Sequence, residues 1–296
     1  MNLQDHLIKA TAEGIRIFAA VTTNLVNEAG QRHQCYPTAL AALGRTMTGT
    51  LLLAANLKNN ECITVKIAGD GPLGQVVADA NPEGFVRGYV ENPQVNLPLV
   101  NGKLAVGQGI GKGLIRVTRF TGLKDPVMGT TELVSGEIAE DFTQYLYVSE
   151  QTPSSIGLGV LVEPDLQVSA AGGFFIQALP NVEEASIAQL EKNLKEIEPV
   201  SQMIKEGMSG RQIIEKLAAG LKVNFSTETN LFFKCQCSEE KIRNVLVNLG
   251  EKELTAMLKD EQAEVCCHFC GEKYNFNKVA LGHLLKQAKA KTQAKE

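Results

Sequence analysis

Five of the chain's seven cysteines fall within 36 residues near the C-terminus. Cys235 and Cys237 form a C-x-C pair, 29 residues intervene, and Cys267 and Cys270 form a C-x-x-C pair inside the run VCCHFCG. Zinc takes thiolates readily and prefers four ligands in a tetrahedron, so two short-spaced pairs far apart in sequence can close around one ion. Side chains i and i+2 of an extended segment share a face, which lets Cys235 and Cys237 present their sulfurs together. The C-x-x-C-G run suits a tight knuckle in which Gly271 takes a positive φ. Free cysteine also serves as a small core hydrophobe, but that role needs no clustering, and the spacing favours metal. Zinc would hold the sulfurs as thiolates, the form an oxidant attacks, and disulfide formation would then expel the ion. Spacing alone leaves open whether such a site is a staple or a switch.

No second constellation competes with it. His6 and His33 are the only histidines before the cysteine region, and neither sits in a nucleophile motif. Glu137, Glu140, Asp141 and Glu150 are available as paired acids, but carboxylates at helix starts and in loops are ordinarily solvated. Cys35 and Cys62 lack a local partner and read as packing residues. Residues 69–74, GDGPLG, match G-x-G-x-x-G after a strand. The following QVVADANP is short, β-branched and stopped by Asn81 and Pro82, so no helix N-terminus is there to hold a pyrophosphate, and a hairpin turn is the better reading. Gly107, Gly109, Gly111 and Gly113 lack the Lys-Ser/Thr ending of a phosphate loop and read as a turn or flexible strand edge. The expectation is a chain that is not an enzyme.

Two alternative roles for the cysteines fail on context. From Cys235 onward there are 10 Lys and Arg against 9 Asp and Glu, and the whole chain carries -4, so no basic field marks a nucleic-acid binder. No thioredoxin-like βαβ unit precedes Cys267 and Cys270, and a closed tetrathiolate quenches their nucleophilicity, which argues against an oxidoreductase.

The elements that must position the cysteines follow from length and periodicity. A chain of 296 residues with 44% hydrophobic content predicts about two domains. The opening MNLQDHLIKATAEG is polar, no run reaches membrane-span length, and an odd cysteine count argues for reduced thiols, so a cytoplasmic protein with no membrane contact is expected. Strands are predicted at Ile15–Val21, 62–68, 75–79, 84–90 and 114–120. Residues 37–55 carry Leu40, Leu43, Met47, Leu51 and Ala54 at helical spacing, a face that packs on a sheet. Ser135 is placed to N-cap a helix, and another helix is predicted after Pro153. From Asn181, Ile187, Leu190, Leu194 and Ile197 form a narrow stripe ended by Pro199, and Ser209 with Gln212 makes a capping box for a helix bearing Ile213, Ile214 and Leu217, with Gly220 at its exit. This helical connector must rest its stripe on another surface, where it can dock or release. Ser238 caps a helix closed by Gly250, Leu254 and Leu258 mark another, and Tyr274 and Phe276 alternate as a strand. Lys286, Lys289, Lys291 and Lys295 read as a frayed, solvated helix end.

The cysteine pattern, together with ELVSGEIAED (132–141), SEQTPS (149–154), GVLV (159–162), AAGGFFIQ (170–177) and Phe269, Gly271 and Tyr274 around the knuckle, resembles the HslO family over essentially the whole chain. These are redox-regulated heat-shock holdases, the thirty-three-kilodalton chaperonins. The resemblance implies an α+β protein with a mixed N-terminal α/β domain (1–180) for client binding and dimerisation, a helical linker (181–229) and a small C-terminal zinc-binding redox-switch domain (230–296). It implies one zinc per reduced chain on Cys235, Cys237, Cys267 and Cys270. It also implies disulfides Cys235–Cys237 and Cys267–Cys270 after oxidation, with zinc release, unfolding of that domain and ATP-independent binding of unfolding proteins by a homodimer under oxidative stress. Cys266 is an extra thiol that the family pattern does not require, placed to take over a ligand position or scramble the distal disulfide.

Overall fold

The computed structural model describes residues 4–293. The chain divides into two compact units, residues 1–234 and 235–296. The first runs β1 (His6–Ala12), β2 (Ile15–Val21), α1 (Thr23–His33), α2 (Pro37–Ala54), β3 (Cys62–Gly69), β4 (Gln75–Ala80), β5 (Phe85–Val90), α3 (Val106–Ile110), β6 (Gly113–Phe120), β7 (Val127–Glu132), α4 (Ala139–Glu150), β8 (Ser154–Val162), β9 (Val168–Ala178), α5 (Glu184–Glu196), α6 (Val200–Lys205), α7 (Gly210–Leu217), β10 (Val223–Asn230) and β11 (Phe232–Phe233). One sheet has the order β10-β1-β2-β9-β8 and the other β11-β5-β4-β3-β6-β7.

Helix α2 lies between them. Pro37 at its first turn presets the helical φ, and apart from Pro37 and Arg45 every residue is buried. The five apolar residues at helical spacing are core, but so is the opposite side, because a helix between two sheets has no solvent face. Its hydroxyls are satisfied locally: Thr46 and Thr50 donate to the carbonyls of Ala42 and Thr46, and Thr48 pairs with Thr22. Gly49 is needed there, since a Cβ would stand 2.4 Å from the Phe142 ring.

The first sheet is buried on both faces. Alternation along β2 sends Phe18 and Ala20 toward α2, while Ile15, Ile17, Ala19 and Val21 join Ile8, Phe174 and Ile176 in a second core. Helices α5, α6 and α7 cover that second face with Leu190, Met203, Ile204, Ile213, Ile214 and Leu217. The capping box at Ser209 and Gln212 forms as the sequence predicts. His6 is structural: its Nε2 accepts from the Gly210 N–H at 2.9 Å, joining β1 to the start of α7. The connector helices therefore belong to the first unit, and β10 on β1 and β11 on β5 keep the chain in it as far as Lys234.

Several local expectations are corrected. No helix follows Pro153: SSIGLGVLV is strand β8, paired with β9, because its two glycines and β-branched residues suit a pleated edge better than a helix. Ser135 is not the cap of α4. Asp141 turns back instead, accepting N–H bonds from Val134 (2.8 Å), Ser135 (3.2 Å), Gly136 (3.3 Å) and Ile138 (2.9 Å), and it is fully buried rather than solvated. Cys35 is buried as expected, but Cys62 is exposed at the start of β3. The GDGPLG stretch is the β3–β4 hairpin turn, as expected. Gly107 and Gly109 lie in α3, not in a turn or strand edge.

The second unit contains α8 (Glu239–Leu249), α9 (Glu251–Lys259), β12 (Gln262–Cys266), β13 (Lys273–Asn277) and α10 (Lys278–Gln293). Its core is small: Leu246, Leu254, Phe276, Leu281, Leu284 and Ala288. Lys286, Lys289 and Lys291 lie on α10, and Lys295 falls outside the described residues.

Candidate metal centre

The two cysteine pairs reach one place from different local structures. Cys237 immediately precedes Ser238, whose hydroxyl caps α8 by accepting from the Lys241 N–H at 3.3 Å. The other pair sits in the β12–β13 connection, where the Cys267 N–H donates to the Glu272 carbonyl and the Gly271 N–H to the Cys267 carbonyl, both at 2.8 Å. Gly271 has φ 72°, the left-handed conformation that lets the knuckle close.

All four sulfurs lie within 4.8 Å of one another, with Cys235 to Cys267 at 3.8 Å and Cys237 to Cys270 at 3.4 Å. A tetrahedron with metal–sulfur bonds of about 2.3 Å has edges of roughly 3.8 Å, so the quartet fits a zinc ion. Burial pushes the Cys267 and Cys270 thiols up, and the neighbouring Cys235 thiol adds to the rise in both. Phe269 and Glu272 aim backbone N–H groups at those two sulfurs and oppose the shift, so a cation is what would complete the stabilisation of thiolates. The Tyr274 hydroxyl donates to the Cys237 sulfur at 3.1 Å, a contact that sequence periodicity assigned only to a strand face. Cys266 ends β12 with its side chain exposed and lies outside the quartet.

Comparison with known proteins agrees with this architecture. A family model described as Hsp33 protein matches residues 5–277. The chain belongs to the Hsp33 family. It is 47% identical to the 33 kDa chaperonin of Desulforamulus reducens over 293 residues, which covers 98% of this chain and 100% of that one. It is 46% identical to the 33 kDa chaperonin of Bacillus subtilis over 288 residues, 96% of this chain and 99% of the relative. The crystal structure of the 33 kDa chaperonin from Thermotoga maritima superposes with a TM-score of 0.89 at 37% identity, covering 95% of this chain and 98% of that chain. Membership makes this a chaperone and not an enzyme, with the mixed α/β fold and a C-terminal cysteine cluster compatible with a small zinc-binding domain. Among the described residues no helix is long and apolar enough to cross a membrane.

Proposed function

We propose that this Hsp33-family chaperone is a cytoplasmic, ATP-independent holdase switched on by oxidation, with Cys235, Cys237, Cys267 and Cys270 as both metal ligands and sensor. The observation that carries the reading is the sulfur quartet, four cysteines within 4.8 Å of one another. Zinc, when bound there, would hold the sulfurs as thiolates and cross-link the second unit. Under peroxide, Cys235 would join Cys237 and Cys267 would join Cys270, the pairing the family resemblance implies. Each new S–S bond takes two electrons from two thiolates, and the peroxide leaves as two hydroxides. The disulfide sulfurs then no longer carry the charge that binds the ion.

The fold supports a surface for clients as well. The face of the first sheet beneath α5, α6 and α7 is apolar, with Ile8, Ile15, Ile17, Phe174 and Ile176. Those helices are followed in the chain by β10, β11 and then Cys235, and the switch requires that unfolding of the second unit loosen β11 and β10 from their sheets and, with them, the cover. Release of the cover exposes a surface for unfolded proteins and for a second copy in the active homodimer. The test is peroxide with mild heating of the zinc-loaded chain. Release of one zinc per chain together with suppressed aggregation of a denatured client is expected, whereas equal protection by the reduced protein rules the switch out.

A further inference from the structure

The end of the first unit where its two sheets approach α4 holds a cavity of about 130 Å³ whose charge is unbalanced. Arg16 on β2 reaches it, and its Nη1 donates to the Asn56 side chain at 3.0 Å and to the Gln177 side chain at 2.8 Å. Both acceptors are neutral, and among the described residues Arg16 has no ion pair. Arg119 on β6 also lines the cavity; it pairs with Glu150 through Nη2, yet its Nε is buried with no acceptor. Nearby, Lys9 donates to the Ala55 carbonyl at 2.6 Å, at the end of α2.

Charge balance decides what fits. The C-terminus of α2 carries roughly half a negative charge. No basic residue lies in its own last turn, so cations from β1 and β2 supply the complement. Lys9 already takes that role at the carbonyl. Of the three cations, Glu150 balances one, which leaves Arg16 held by dipoles alone beside a guanidinium whose Nε–H is unsatisfied. The Arg119 Nε is shielded from the cavity, so what the cavity offers an anion is the other guanidinium atoms of Arg16 and Arg119 that line it. Two planar guanidinium forks match an oxygen-rich anion, whose every atom at the rim accepts hydrogen bonds. The volume is the share of about four waters, enough for a phosphate or carboxylate group and far below the roughly 300 Å³ where drug-sized pockets begin.

We propose that this cavity binds a small oxyanion between Arg16 and Arg119, with Asn56 and Gln177 as its polar rim and Phe175 as its apolar wall. The site is independent of the cysteine module, and because β2 and β9 belong to one sheet and β6 to the other, an occupant ties the two sheets together.

The test uses the full, reduced, zinc-loaded chain, titrated with sodium phosphate or sodium acetate at constant ionic strength set by chloride. A saturable rise in Tm of about 2–4 °C is expected, with a matching calorimetric isotherm. A response to phosphate alone identifies a tetrahedral dianion, and one to acetate alone a carboxylate. Arg16→Gln and Arg119→Lys should each weaken binding about tenfold, the second because it keeps the charge and loses the planar guanidinium. Asn56→Asp, at an exposed position outside the core, supplies Arg16 with an internal carboxylate and should abolish the response without disturbing the fold. No saturable response to either anion means that water fills the cavity and overturns the proposal, as does a response that Asn56→Asp leaves undiminished.

Discussion

Asp5 shows how one side chain ties distant segments. Its carboxylate accepts from the Asn24 N–H at 3.0 Å and the Leu25 N–H at 2.6 Å, so it caps α1 from the entry to β1, whereas Thr22 makes no side-chain cap. Burial raises its pKa to about 6, against the hydrogen bonds that lower it. The folded chain therefore holds this proton more tightly than the unfolded chain does between pH 4 and 6. Its contribution to stability is full below the unfolded value of 3.8 and is lost as pH rises through about 6. Denaturant melts at pH 4 and pH 6 should show a decline at this site on the order of 2–3 kcal/mol, and Asp5→Asn should remove that part of the pH dependence. Nothing in the sequence marks Asp5, because its partners are about twenty residues away and its role exists only once β1 and α1 meet. The cysteine quartet was legible because metal ligation fixes residue type and spacing together. Tyr274 and Asp141 were not, since a hydroxyl on a sulfur and a carboxylate folded back on its own loop leave no periodic trace.

The helices that cover the first sheet are held unequally. Leu190 is the one apolar side chain of α5 that is fully buried, while α6 and α7 bury Met203, Ile204, Ile213, Ile214 and Leu217. At about 1.5–3 kcal/mol for each buried side chain, α5 is held by a small fraction of what holds the other two. Polar contacts do not reverse this: α5 adds Ser186 donating to Glu13 at 3.1 Å and Asn193 donating to the Leu217 and Ala219 carbonyls, while the exposed Lys205–Glu163 and Lys216–Glu198 pairs of α6 and α7 are worth at most about 1 kcal/mol each. Opening should therefore proceed from α5. Leu190→Ala is expected to raise amide exchange in α5 while α7 stays protected, whereas Leu217→Ala should destabilise by about 2–5 kcal/mol and expose the apolar face even in the reduced chain. Dye binding and client protection by reduced Leu217→Ala measure this, and an inert reduced variant removes that face from the client surface. The stripe on α5 and the capping box of α7 could be read in sequence because both are local patterns. Strand β8 could not, since its pairing with β9 and the cover of α4 and α2 override the helical start that follows a proline.

The two compact units differ in what keeps them folded. The first has two sheets, a buried central helix and two apolar cores. The second, residues 235–296, shows among its described residues one small core and a two-stranded hairpin, a size at which folding is marginal without a staple. Structural zinc supplies about 10–16 kcal/mol of apparent binding energy, enough to decide whether such a module folds. Chelation in reducing buffer should therefore remove amide protection throughout residues 235–293 while α2 and β9 keep theirs, and added zinc should restore it. Loss of protection in both units together would mean that the first depends on the second for its stability, and full protection after chelation would make the quartet dispensable to the fold. The reduced, metal-free chain also separates the two halves of the switch, because its second unit is unfolded without any disulfide. If that form suppresses aggregation, unfolding alone activates the chaperone; if it does so only after oxidation, unfolding of the second unit is insufficient and the disulfides themselves are required for activity.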